Sequence, residues 1–367
     1  PPEKWRESGE WFYEHRVASG PFRIESWKPQ AEIVLARNPK YFDPELPRLD
    51  RAVLRIVPDQ TAQLAQLLNG ELLFITNLKP EDAARIQADP KLELIAIDFR
   101  NSVSIAWNNQ NELFQDPETR RALPLAIDRA RMVQAIWGPY ARIASSPILS
   151  FVWAHDKTLK PWPFDPAAAK EILAKRGFRD TNGDGVLEKD GKKFEFELLV
   201  NSGNQQRADA AVMIQSQLAS VGVTATPRTI EATSFNTQID QGNYAAAILG
   251  FGMDTSLDFT SFLSSKVIGK ENNFARYSNP EVDRLLAEGA AQKDLNSTVP
   301  SLRAIEKILH QEQPYTYLWE SQRLSARNRS LRWDWIDRAG QPRASKPTMT
   351  FTFFGLRDWW LEPKPAN

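Results

Sequence analysis

The sequence has no cysteine, which excludes disulfides, Cys-ligated zinc, iron–sulfur clusters and a thiol nucleophile. It has no charge excess: 46 Lys and Arg balance 46 Asp and Glu, and no basic run breaks the balance. Phosphate neutralisation needs such an excess, so a nucleic-acid partner is not expected. Long apolar runs are missing too. The longest, Tyr244 to Phe251, is strand-length and far short of the roughly 20 residues of a membrane span. There is no internal repeat and no low-complexity tract. Only three histidines occur, His15, His155 and His310, none at ligand spacing from another. No Gly-x-Ser-x-Gly and no phosphate loop is present, and nothing nominates a catalytic carboxylate pair.

What is there is a regular alternation of strand and helix signals over 367 residues, a length that suits two domains. Ala31 to Ala36 and Arg51 to Val57 alternate like strands. Asp59 caps a helix bearing Leu64, Leu67 and Leu68, stopped by Gly70. Leu92 to Ile97 and Ser102 to Trp107 read as two separate strands. Asp116-Pro117-Glu118 opens a helix whose apolar face runs from Leu123 to Trp137, with Pro124 expected to kink it or shift its start. Phe194 to Val200, a helix from Gln205 to Val221 and Val223 to Thr226 make a βαβ unit. That helix is expected to present Ala208, Ala211, Val212, Gln215 and Leu218 on one side. Tyr244 to Phe251 is the next strand, followed by helices near 280–293 and 301–311 and a strand at Tyr315 to Trp319. Thr348 to Phe354 is strand-like, and Pro363 to Asn367 reads as a tail. The class is α/β.

Two segments carry candidate chemistry. Asp180, Asn182 and Asp184, with Gly185 and Leu187, match the first half of a calcium loop. Gly191 stands where the bidentate glutamate belongs, and the alternative is a turn whose side chains bond to their own backbone. The second segment, Gly250 to Asp258, leaves the carboxyl end of an apolar strand, where ligands of α/β sheets bind. Asp254 there can receive a cationic ligand group. Asp258 either does the same or caps the helix through Phe262 and Leu263.

Five ordered stretches resemble the extracellular solute-binding proteins of family 5, the dipeptide and oligopeptide receptors of ABC importers. They are Val17 to Ile24, Arg37 to Phe42, Leu67 to Glu71, Phe114 to Arg129 and Tyr277 to Leu286. The resemblance implies a two-lobed periplasmic-binding-protein-like fold with a large lobe II inserted between two crossing strands. Lobe I would be residues 1–103, lobe II 104–325, and 326–367 a return to lobe I. Family members carry a whole subdomain before the first matched stretch, so lobe I is expected to be incomplete. The opening Pro1-Pro2-Glu3, without methionine, is read as a processed or truncated start.

Function follows from the same resemblance. It implies capture of a small peptide in a cleft that closes by a hinge, with ABC transporter membrane subunits as partners. No catalysis, no cofactor and a monomer are expected, in a periplasmic or extracellular setting, free or held by a lipid anchor. In peptide-binding relatives an aspartate after a Gly-aromatic strand end holds the ligand's amino group. That implies Asp254, with Phe251 and Gly252 beside it and Asp258 as the rival acid. Trp107 and Asn108 are candidates for the cleft floor, their alternative being an ordinary hinge strand. An oligosaccharide ligand, stacked on some of the twelve tryptophans, and a paired-carboxylate hydrolase are the competing readings.

Overall fold

The computed structural model describes residues 19–336, 340–347, 353 and 355–362. The strand expected at Thr348 to Phe354 falls almost wholly outside these residues, as do His15, the Val17 and Ala18 that begin the first matched stretch, and the tail from Pro363. The chain divides into two compact units, Pro1–Asp98 with Arg323–Asn367, and Phe99–Gln322. It passes between them within two long strands, β5 and β12, defined below.

The first unit opens with an antiparallel meander, β1 (Phe22–Lys28), β2 (Glu32–Arg37) and β3 (Arg51–Arg55). Asp59 accepts from the Ala62 N–H and caps the helix Gln60–Leu68, which buries Leu64 and Leu67 as its periodicity requires. β4 (Phe74–Thr76) pairs with residues 325–327 of β12. After a turn and a short helix, β5 runs unbroken from Leu92 to Trp107. The expected pair of strands is therefore one. The charged and polar residues Asp98, Arg100 and Asn101 read as a break, but the ladder with β11 reaches Asn101 and the Met253 N–H donates to the Arg100 carbonyl.

In the second unit the expected long helix around Pro124 is also corrected. Two helices stand there, Pro117–Leu125 and Arg129–Trp137. Pro124 closes the last turn of the first, and Asp128 caps the second by accepting from the Arg131 N–H. A short β6 (Ala141–Arg142) pairs with β12, and β7 (Glu188–Lys189) with β8 (Lys192–Lys193) forms a small hairpin. The sheet proper is β9 (Glu195–Asn201), β10 (Thr224–Ile230), β11 (Ala246–Gly252), β5 and β12 (Tyr315–Asn328). Their order is β10-β9-β11-β5-β12.

The helix Gln205–Ala219 joins β9 to β10 and packs on one face through Ala210, Ala211, Ile214 and Leu218. Val212, expected on that face, is 60% exposed. The buried residues recur at 210, 211, 214 and 218, so the apolar stripe is rotated from the expected one and Val212 falls outside it. The helix Ala232–Gln241 joins β10 to β11 and packs on the opposite face through Phe235 and Ile239. Each face thus has its own apolar core, one around Trp107, Phe114 and Phe196, the other around Tyr315, Tyr277 and Leu309. β10 and β11 lie on either side of β9, both parallel to it. The order reverses at β9, which makes the carboxyl ends of β9 and β11 a switch point where α/β sheets leave a crevice.

In the first unit, β13 (Leu331–Arg332) pairs with β16 (Trp360–Leu361), and β14 (Asp334–Ile336) with β15 (Pro342–Ala344).

Candidate functional site

β11 ends at Gly252, and the chain then folds back over its own face. Met253, Leu257 and Phe259 are buried while Asp254 and Asp258 stay exposed. Phe251, Phe262, Tyr315 and Tyr317, with Pro147 from a separate loop, wall a narrow pocket that both acids border. It offers about 30 Å³, room for roughly two waters, which suits the end of a ligand rather than its body. Phe251 meets Tyr315 edge to face at 5.1 Å and Phe262 at 5.7 Å, so the wall is rigid. No tryptophan lines it. The Tyr317 hydroxyl is buried and has no hydrogen-bond partner among the described residues.

Asp254 does more than face solvent. Its Oδ1 accepts from the Ser256 N–H at 2.9 Å, and that bond holds the carboxyl below the usual aspartate range, with a smaller pull from the Arg100 charge. It stays ionised and aimed by its own turn. Asp258 accepts from the Thr260 N–H at 2.9 Å, two residues on, and lies just outside Phe259, the N-cap of the helix Thr260–Leu263.

The other two expected residues are placed differently. Trp107 has no exposed surface: its indole N–H donates to Thr316 Oγ1 at 2.9 Å, and its ring packs on Phe114 and Phe196. Asn108 is buried and donates to the Gly242 and Tyr244 carbonyls, pinning the start of β11. Both serve packing in this geometry. In the β11 ladder Trp107 sits opposite Ala246 and Asn101 opposite Gly252, so Trp107 lies at the far end from Asp254.

The Asp180 loop uses its oxygens internally. Asp180 accepts from the Gly183 and Gly185 N–H groups, Asn182 from Asp184, and Asp184 from Val186. Lys193 Nζ lies 2.5 Å from Asp184 Oδ2, supplying the loop's positive charge from the chain itself. No cluster of three metal-binding side chains is present among the described residues.

Arg207 was not expected. It rises from the first turn of the helix Gln205–Ala219 to the carboxyl edge of the sheet, where Nη1 donates to Asn201 Oδ1 at 2.8 Å. A Cβ built on Gly250 would stand 2.2 Å from Nη2, so glycine is required there for close approach. The guanidinium is largely buried, its Nε has no partner among the described residues, and burial pulls its pKa down. A buried cation without a carboxylate is costly, which marks a place for an anion. The signal in the sequence was Gly250 two residues before Gly252, which leaves the β11 edge without side chains on one face.

A serine, a histidine and a carboxylate also meet in this unit. Ser146 Oγ and Glu306 Oε1 both address His155 Nδ1, at 3.4 and 2.7 Å, and all three are buried. A serine nucleophile needs the two ring nitrogens to serve separate partners, so this is a structural knot.

A sequence profile settles the family: that of bacterial extracellular solute-binding proteins, family 5 (middle), matches residues 1–274. The chain belongs to that family. It is 33% identical over 308 residues to the oligopeptide-binding protein AppA of Bacillus subtilis, covering 83% of this chain and 56% of the relative. It is 28% identical over 303 residues to heme-binding protein A of Haemophilus influenzae, covering 82% and 53%. The solved structure of B. subtilis AppA with a nonapeptide superposes with a TM-score of 0.79 at 29% identity, over 99% of this chain and 72% of that one. The chain therefore spans little more than half the length of these two relatives. Its fold is the α/β one of family 5, whose solved members are two-lobed periplasmic binding proteins. No helix among the described residues is long and apolar enough to cross a membrane.

Proposed function

We propose that this chain captures short peptides for an ABC importer, binding without catalysis on the outer side of the cytoplasmic membrane. The observation that carries the reading is a pair of opposite charges at the carboxyl ends of β9 and β11: the exposed, ionised Asp254 and Arg207, whose guanidinium is buried with no carboxylate acting on it among the described residues. A zwitterionic peptide supplies an ammonium for the first and a carboxylate for the second, each a charge-assisted bond. The narrow aromatic pocket beside Asp254 takes the side chain nearest the amino end, and the free Tyr317 hydroxyl offers it a polar contact. The peptide-binding name of the relative with 33% identity supports the ligand class.

Calorimetric titration of the 367-residue chain with a tripeptide, its N-acetyl form and its C-amide tests this. Asp254→Asn should cost about 1.5–3 kcal/mol for the free peptide and almost nothing for the acetylated one. Arg207→Gln should do the same for the free acid against the amide. Equal binding of free and acetylated peptide by the unmutated chain would remove Asp254 from the site, and turnover of any peptide would overturn the non-catalytic reading.

A further inference from the structure

We propose that the unit of residues 1–98 and 323–367 carries a separate pocket that binds a phosphate-class oxyanion. The pocket holds about 560 Å³ and is walled by Arg327, Arg329, Arg332, Arg343 and Lys346. Its carboxylates among the described residues are Glu93 and Asp334. Leaving Arg343 aside, four cations, Arg327, Arg329, Arg332 and Lys346, meet three acids, Glu93, Asp334 and Glu362, the last 3.7 Å from Arg332, a local excess of positive charge in a chain that is neutral overall.

The frame of the pocket is fixed. Trp333 is buried beneath it, and the Arg327 guanidinium stacks over the ring at 3.5 Å. Arg327 also donates to Glu93 Oε2 at 2.8 Å and to the Leu331 carbonyl, so its donors are largely spent. Arg332 grips Asp334 with two donors, at 3.1 and 2.9 Å. Two cations are left with capacity to spare. Arg329, 57% exposed, reaches Glu93 only at 3.8 Å, an acceptor that Arg327 already holds more closely. Lys346 pairs with no acid among the described residues.

The chemistry of this set selects the ligand. An arginine fork fits two oxygens of a tetrahedral anion, and an ammonium beside it takes a third. A monocarboxylate has only two oxygens and leaves the ammonium without one. The indole floor keeps water from one side, so the unbalanced charge is felt more strongly than on open surface. Free phosphate and the phosphate of a lipid headgroup present the same oxygens.

The full chain, titrated at low salt with inorganic phosphate and in parallel with acetate, gives the test. Saturable phosphate binding is expected, tighter than acetate. The double variant Arg329→Gln/Lys346→Gln removes two exposed charges, and phosphate affinity should fall about tenfold or more. Lys192→Gln, on the other unit, should change nothing. Flotation with phosphatidylcholine vesicles, with and without phosphatidylglycerol, separates the sources. Retention only on the anionic vesicles, lost in the double variant, assigns the lipid headgroup; phosphate binding without retention assigns the free ion. Binding of neither, acetate as tight as phosphate, or unchanged affinity in a double variant with native circular dichroism would overturn the proposal.

Discussion

The two units are made from similar residues and bury them very differently. In the unit of residues 99–322, four consecutive residues of β11, Ala246 to Leu249, are buried, because helices cover both faces of the sheet. In the other unit, β1 and β3 have no buried residue at all, and Ile24, Trp27, Val53 and Ile56 are each at least 40% exposed. A groove of about 650 Å³ of mixed lining, with Val53, Phe74 and Trp359 among its apolar residues and Glu32, Arg51 and Arg55 among its charged ones, lies open beside them. Burial, rather than hydrophobic composition, is what stabilises a strand. The first unit therefore has sheet without a second layer among the described residues, while the second is complete in three layers.

The largest consequence is local stability. Amides of β9 and β11 should exchange only on global unfolding, and those of β1 and β3 orders of magnitude faster, read by hydrogen exchange with mass spectrometry. Limited proteolysis should trim the first hundred residues before it cuts within 99–322; the reverse order would break the contrast.

Single truncations should show the same asymmetry. Trp107→Ala leaves a large cavity in a packed core and should cost about 3–5 kcal/mol in denaturant unfolding. Glu306→Ala strips the acceptor from His155, Ser146 and the Asp156 N–H at once, and about 3–5 kcal/mol is again expected. Gly250→Ala is smaller, about 1–3 kcal/mol of overpacking against the Arg207 guanidinium, with a loss of affinity for peptides that have a free carboxyl end. Val53→Ala, on the open sheet, should stay within about 0.5 kcal/mol. A Val53 effect as large as that of Trp107 would mean that the meander is covered in solution.

The smallest effect concerns pH. The Ser256 N–H lowers the Asp254 pKa, so this group favours the folded turn above its unfolded value, near 3.9. That contribution is lost as pH falls through the lower folded value. Affinity for peptides with a free amino end should therefore be flat from neutral pH to about 4 and decline only below it. A decline beginning at pH 5 to 6 would point to a different partner for the ammonium.

Much of the fold was legible because its signals are local. The Asp59 and Asp116 caps, each followed by helix, are read from neighbouring residues, and so is the run of β11. Strand continuity was not. The polar residues of β5 at 98–101 look like a loop until the partner strand is known, and β12 extends to Asn328, well past its apolar start at Tyr315 to Trp319. Asp254 and Phe251 were nameable from a strand end and a family pattern. Asp254's turn bond depends on Ser256 nearby, yet its meaning depends on what faces it.

Composition, caps and periodicity by themselves determined an α/β chain with no thiol chemistry and no apolar run long enough to span a membrane, and five stretches of motif carried the resemblance to family 5. These are properties of residues within a few positions of one another, where propensity and hydrogen bonding act directly. Only the tertiary structure decided that Trp107 is core, that Lys193 supplies the Asp180 loop with its cation, and that Arg207 stands beside Gly250 without an acid. Each of those depends on which groups at long sequence separation share one low-dielectric environment. Burial and charge compensation are sums over neighbours in space, and the chain order does not list them.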